Sequence, residues 1–198
     1  MKNLLLTIIA VLMPFGVSAQ RHVECLNFGW EFRLNDEGTW RKVNVPHDFQ
    51  IEQPWVAPAA DEKADNTDVA ANIKSRLSSR GFKEMGKGYY RLHYTPAKEL
   101  EGQRVLLDFE GVMYTADVYV NTKHVTHHIG GFTPFNIDVT DELKEGENVL
   151  IVKVDNKRHR DNVPTQIFDW WNYGGITRDV MLVNVANTYI ENYKWKLE

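Results

Sequence analysis

The stretch "TADVYVN", Thr115 to Asn121, puts Ala116, Val118 and Val120 on one face of an extended chain and Asp117, Tyr119 and Asn121 on the other. A period of two marks a strand with one buried face. Similar short runs, rich in β-branched and aromatic residues and bounded by Gly, Pro, Asn or Asp, recur from residue 26 onward. The expected strands are Phe28 to Leu34, Trp40 to Val45, Tyr89 to Thr95, Arg104 to Glu110, Thr115 to Asn121, His124 to His128, Phe135 to Val139, Val149 to Asp155 and Ile176 to Val185. No helical period lasts long, so the spacing predicts an all-β domain.

Local patterns refine that expectation. Asn121-Thr122-Lys123 turns the chain into His124-Val125 as a hairpin. The run Val149 to Val154 is almost wholly apolar and predicts a central strand covered on both faces. Thr140 to Leu143 reads as a single turn capped by the Thr140 oxygen, with Leu143 tucked under the sheets and Gly146 closing it. The segment Pro54 to Lys87 fits this scheme least. Its acidic, alanine and serine residues suggest a long functional or disordered connection, with a short exposed helix over Thr67 to Leu77 and Gly81, Gly86 and Gly88 bending the chain back. From Thr188 the residues alternate again, so 188–198 reads as the first strand of a further unit.

At the other end, "MKNLLLTIIAVLMPFGVSA" has a charged start, a short apolar run, a helix-breaking Pro14 and Gly16, and small residues before Gln20. That layout is a secretory signal with cleavage after Ala19, and its apolar run is too short to span a bilayer. The expected product is a soluble, exported protein, periplasmic or secreted, with residues 20–187 forming one domain. Its single cysteine, Cys25, makes no internal disulfide and is expected to be a small buried hydrophobe. A net charge of -4 with scattered Lys and Arg gives nucleic acid no basic stripe to follow, and nothing in the mature part suggests membrane attachment.

The ordered motifs "NFGWEFRL", "WRKVNVPHDF", "GYYRLHY", "LLDFEGVMYTADVYVNTKHVTHHIGGFTPFNIDVTDEL", "GENVLIVKVDN" and "NYGGITRDVMLV" carry a resemblance. Over roughly residues 26–187 the chain resembles the N-terminal sugar-binding domain of glycoside hydrolase family two, which includes β-galactosidases, β-glucuronidases and β-mannosidases. The resemblance implies a jelly-roll β-sandwich, like other galactose-binding domains, followed by an immunoglobulin-like domain that 188–198 would begin and by a catalytic barrel. The family's two catalytic glutamates belong to that barrel and map onto no residue here, so no catalytic residue is assigned. Where family members commonly have Asn-Gly, this chain has Asn121-Thr122, which weakens the expected tight turn.

The same resemblance implies a substrate-binding role for Asp169. In the resembling enzymes an aspartate before an aromatic pair and a Gly-Ile-X-Arg strand binds hydroxyls of the terminal sugar, and Asp169 to Gly175-Ile176-Thr177-Arg178 fits that spacing. A carboxylate accepts from two adjacent hydroxyls while indoles pack on the apolar face of a pyranose. Trp170, Trp171 and Asn172 are further candidates for the subsite. In some relatives the matching aspartate also helps hold a sodium ion; no other cofactor is implied. The expected partners are a β-linked oligosaccharide or glycoside and the catalytic barrel. A free-standing carbohydrate-binding module is the alternative.

Two other motifs read as structural. In "VPHDF", Pro46 ends a strand and Asp48 is expected to bond local backbone or Arg91, while Arg178 anchors its strand or pairs with an acid. His124, His127 and His128 invite a metal reading, but neighbouring strand residues point to opposite faces and no third ligand is evident.

Overall fold

A computed structural model describes residues 21–56, 82, 83, 85–96, 103–157, 163, 173–191 and 194–197. Two antiparallel sheets face each other across one core. One has four strands in the order β1 (His22–Cys25), β15 (Val180–Val185), β8 (Arg104–Phe109) and β12 (Phe135–Asp138). The other has six: β11 (Lys123–Ile129), β10 (Thr115–Val120), β13 (Asn148–Asp155), β7 (Lys87–Tyr94), β2 (Trp30–Leu34) and β3 (Arg41–Val43). This is the expected all-β jelly-roll sandwich.

The alternation in the sequence becomes burial. In β7, Gly88, Tyr90, Leu92 and Tyr94 face inward while Lys87, Tyr89, Arg91 and His93 face out. They meet Trp30 and Phe32 of β2, Val118 and Val120 of β10, Leu150 and Val152 of β13, and Leu107, Phe109 and Leu182 from the opposite sheet in one apolar cluster. Each such side chain taken out of water contributes about 1.5–3 kcal/mol. The solvent side of β2 and β7 is covered by charge on aromatic rings: the Arg91 guanidinium lies 4.3 Å from the Trp40 ring centre, that of Arg33 5.1 Å, and Arg91 also pairs with Glu31 at 2.7 Å.

Several expectations are corrected. β13 alternates strictly, with Val149 and Ile151 half-buried on the outer face, so its apolar run does not mean cover on both sides. Gly88 is required by packing and not by a bend, because a Cβ there would lie 2.7 Å from Phe49 and 2.8 Å from Phe32. Asn121 and Thr122 make a tight hairpin turn after all, with φ of 47° and 75°. The Asn121 side chain holds it, donating to Glu142 O and to Asn148 Oδ1 and accepting from Val149 N. Thr140 Oγ1 accepts from Val105 N of β8, outside its own turn, where Glu142 N and Leu143 N both donate to Val139 O. Cys25 is exposed, on the outer edge strand β1. Residues 188–191 and 194–197 form no strand, and Ile190 and Trp195 are solvent-exposed. Of Pro54 to Lys87, the described part includes an antiparallel pair, β5 (Trp55–Val56) with β6 (Phe82–Lys83). The expected helix over Thr67 to Leu77 and the secretory signal lie outside the described residues.

Candidate functional site

Between the two large sheets, on one rim, three two-residue strands form a small sheet of their own. Its order is β4 (His47–Asp48), β14 (Gly175–Ile176) and β9 (Val112–Met113). The expected strand Ile176 to Val185 is therefore two strands, β14 on the rim and β15 in the main sheet. The rim sheet joins three motifs distant in sequence, "VPHDF", "EGVMY" and "NYGGITR". Gly175 faces Asp48 on one side and Met113 on the other. The peptide bonds Val45–Pro46 and Met113–Tyr114, both cis, enter and leave it.

Asp48 is the polar centre of this sheet. Its Oδ1 accepts from Gln50 N at 2.9 Å, capping the single helical turn α1 (Phe49–Glu52), and from Gly174 N at 2.9 Å. The next residue returns the bond, since Phe49 N donates to Gly174 O at 2.8 Å. Asp48 Oδ2 is buried and has no hydrogen-bond partner among the described residues. Burial pushes its carboxyl up against the opposing pull of the backbone amides of Gly174, Gln50 and Ile51. The expected bond to local backbone is present; the one to Arg91 is not, because Arg91 is committed to Glu31 on the outer face.

Beside it, His47 Nδ1 lies 2.8 Å from Tyr90 Oη, whose hydroxyl also donates to His47 O at 3.2 Å. Burial lowers the His47 pKa below its ordinary 6.5, although nearby Glu52 pulls it up. The Phe32 ring lies tilted against the imidazole, 4.8 Å away between ring centres.

The glycine pair is seated with no room to spare. Gly175 has φ +131°, and a Cβ there would lie 2.3 Å from both His47 O and Tyr90 Oη. At Gly174 it would meet Asn156 Nδ2 at 2.5 Å and Phe49 Cζ at 3.0 Å. Asn156, fully buried behind Gly174, accepts from Gly86 N at 2.9 Å and donates to Gln50 Oε1. Asn156 and Gln50 were not singled out in the sequence, where only their places directly after "KVD" and "PHDF" marked them. Arg178 pairs with no acid among the described residues; its Nη1 donates to Glu110 O and Phe132 O, pinning two loops to the end of β14. Gly130, at φ +140°, and Gly131 lead the chain out of β11, and Gly131 N donates to Val163 O at 3.1 Å. Exposed Phe132 and Tyr173 flank this rim.

The candidates Asp169, Trp170, Trp171 and Asn172 lie outside the described residues. What the structure places is their surroundings: Val163 before them, held by Gly131, and Gly174 after them, held by Asp48 and Phe49.

The histidines behave differently from the simple strand argument. A bulge in β11 sets His124 opposite Tyr119 and Thr126 opposite Val118, leaving Val125 extra, so His124 and His127 turn to the same face. Both reach Asp117 Oδ1, at 3.2 Å and 2.7 Å. Even so, among the described residues no group of three His, Cys, Asp or Glu side chains is arranged to hold a metal ion. Nor is any helix among them long and apolar enough to cross a membrane.

Comparison with known proteins accounts for the motif order. Residues 23–186 match the family described as glycosyl hydrolases family 2, sugar binding domain. The chain belongs to glycosyl hydrolase family 2. A β-glucuronidase of Bacteroides fragilis is 31% identical over 96% of this family 2 chain and 24% of its own length. A β-galactosidase of Thermoanaerobacter pseudethanolicus is 39% identical over 52% of this chain and 14% of its own. Among solved structures, a β-glucuronidase of Bacteroides uniformis superimposes with a TM-score of 0.65 at 27% identity, covering 85% of this chain and 18% of that one. The family 2 domain thus spans a quarter or less of the length of these relatives.

Proposed function

We propose that this chain is the N-terminal, non-catalytic sugar-binding domain of an exported exo-acting β-glycosidase, and that it supplies Asp169 to the subsite for the terminal sugar. The observation that carries the reading is the seat built for the chain just after Asp169. Gly174 and Gly175 are fixed by Asp48, Phe49 and the rim sheet at a backbone approach that no other residue type fits. A seat fixed so tightly at Gly174 and Gly175 suits neighbouring side chains that must meet a ligand in one geometry. Trp170, Trp171 and Asn172, next to Asp169 in the sequence, complete the subsite in this reading, the indoles covering the pyranose while Asp169 accepts from its hydroxyls.

Catalysis in such an enzyme needs two carboxyl groups about 5 Å apart, one protonated and one ionised. These belong to a barrel carried elsewhere in the enzyme, with this domain completing the pocket. β-Glucuronides and β-galactosides are the substrate classes suggested by the relatives' names, a β-glucuronidase matching 96% of this chain and a β-galactosidase 88%. A sodium ion beside Asp169 belongs to the same proposal, since carboxylate oxygens suit a hard cation. The leader-like layout of the first nineteen residues supports export to the periplasm or outside the cell.

The test begins with the coding sequence beyond residue 198 and continues with its product on aryl β-glycosides. Asp169→Ala is expected to lower kcat/KM by about 1.5–3 kcal/mol, roughly 10- to 150-fold, through loss of a charged hydrogen bond. An unchanged kcat/KM refutes the role of Asp169. Micromolar binding of oligosaccharides by the isolated chain, measured by calorimetry, would instead favour a free-standing carbohydrate-binding module.

A further inference from the structure

We propose that the groove between the start of β8 and residues 187–191 is a second carbohydrate site, one that holds a neutral glycan chain away from the rim. The site goes beyond the function proposed above; only the choice of a glycan among hydroxyl-rich ligands rests on that reading.

β15 ends at Val185, opposite Arg104 of β8, and Asn187 to Glu191 then form a wall facing Leu106 of β8 and Asn136 and Asp138 of β12. The space enclosed is about 480 Å³, within the range of small-ligand sites. It lies at the far end of the four-stranded sheet from the rim, because β8 runs from Arg104 to Phe109 before the chain enters β9. At about 3.3 Å per residue, roughly 17 Å of strand separates the two. β12 is an edge strand with no further strand beside it among the described residues, so a chain longer than the groove can lie across it.

The charges decide what the groove can take. Arg104 Nε donates to Asp138 Oδ2 at 2.8 Å, and its Nη2 joins on the same oxygen. Asp138 Oδ1 accepts from Thr140 N at 3.1 Å and from Thr140 Oγ1. The guanidinium and both carboxylate oxygens are therefore engaged, leaving neither a bare carboxylate pair for a metal ion nor a bare cation for a phosphate. Glu191 adds a carboxylate without a partner among the described residues, and this excess of negative charge repels an acidic sugar.

What is left is neutral hydrogen-bonding capacity beside apolar surface. The side chains of Asn136, Asn187, Thr188 and Tyr189 have no hydrogen-bond partner among the described residues. Amides and hydroxyls each carry donors and acceptors, which suits neighbouring sugar hydroxyls that donate and accept in turn. Leu106 and the Tyr189 ring, both half-buried, supply apolar surface for the CH face of a pyranose. Ordinary solvated side chains would be scattered along a sheet edge; these line one groove around a locked ion pair.

Titration of this chain with cellotetraose and with a neutral galactan tetrasaccharide, followed by NMR on the Asn136 and Asn187 side-chain amides, tests the site. A mannuronate tetrasaccharide serves as the acidic counterpart. Saturable shifts in the millimolar range are expected with at least one neutral sugar and none with the mannuronate. Asn136→Ala is expected to weaken binding about three- to tenfold and Tyr189→Ala about tenfold. Asn136 is exposed and Tyr189 lies beyond the last strand, so neither change touches the core, and if one variant melts early the other carries the comparison. No saturable shift with either neutral sugar, equal binding of the mannuronate, or unchanged affinity in both variants would overturn the proposal. The terminal-sugar reading fails on a different measurement, an unchanged kcat/KM in Asp169→Ala, so the two failures stay distinct.

Discussion

Replacing Gly175 by alanine tests how much of the rim sheet depends on a bare backbone. Two costs are separable. The first is conformational, since φ +131° is a region that residues with a Cβ rarely adopt, and holding one there costs about 1–3 kcal/mol. The second is steric: the new methyl would sit 2.3 Å from His47 O and from Tyr90 Oη, both fixed, one in the rim sheet and one at the end of a core side chain. Forcing an extra carbon into such a packed site costs about 1–3 kcal/mol more. The sum, about 2–6 kcal/mol, is a large share of the roughly 5–15 kcal/mol that holds a domain folded. Gly146 is the internal control, with φ +80° and nothing within 4 Å of its would-be Cβ, so Gly146→Ala carries the conformational cost without the steric one. Gly174→Ala should fall between, because the atoms it meets, Asn156 Nδ2 and Phe49 Cζ, are side-chain ends. Urea unfolding of the three variants, compared at equal m-value, gives the order directly. If Gly175→Ala cost no more than Gly146→Ala, the steric argument for the seat would be refuted.

Further outcomes are expected from charge and burial. Burial acts to raise the Asp117 pKa, but the bonds from His127 and His124 outweigh it and hold the carboxyl below its ordinary 3.8. Its stabilisation is therefore present above pH 3.8 and lost as pH falls through the lower folded value, so Asp117→Asn should flatten the acid limb of a Tm-against-pH curve. His47 has a folded pKa below 6.5 because of burial, so stability should fall as pH drops from 6.5 toward that value. His47→Gln should lessen this loss in the same melting series. Asn156→Ala leaves Gly86 N and Gln50 Oε1 without their buried partner and should cost about 1–3 kcal/mol in urea unfolding.

The sandwich was legible because its strands alternate: β7, β8, β10 and β13 differ from the expected ranges by two residues or fewer at either end. The rim sheet was not. Strands of two residues, such as His47–Asp48 and Val112–Met113, carry no period to read, and their pairing is decided by partners more than sixty positions apart. The break between Ile176 and Val180 falls on Thr177-Arg178-Asp179, a polar stretch with no glycine or proline to mark the change of sheet. Asp48 showed in the sequence as a turn residue; that it also holds Gly174 depends on a fold-level meeting of two motifs. His124 was misjudged because a bulge reverses the face of a residue, and no single residue type in "KHVTHHI" announces one. Cys25 looked buried by type, but it lies on an edge strand where one face meets solvent.

The bulge in β11 has a consequence at the boundary of the molecule. β11, seven residues long, is an edge strand of the six-stranded sheet, with no further strand beside it among the described residues. A straight edge of that length is a template on which a second copy could stack and start a fibre. Here the extra residue at Val125 breaks the ladder and increases the local twist, while Lys123 places a positive charge at the start of the strand. An incoming strand would find no continuous register to follow. The irregularity that gathers two imidazoles on Asp117 also keeps this border from growing.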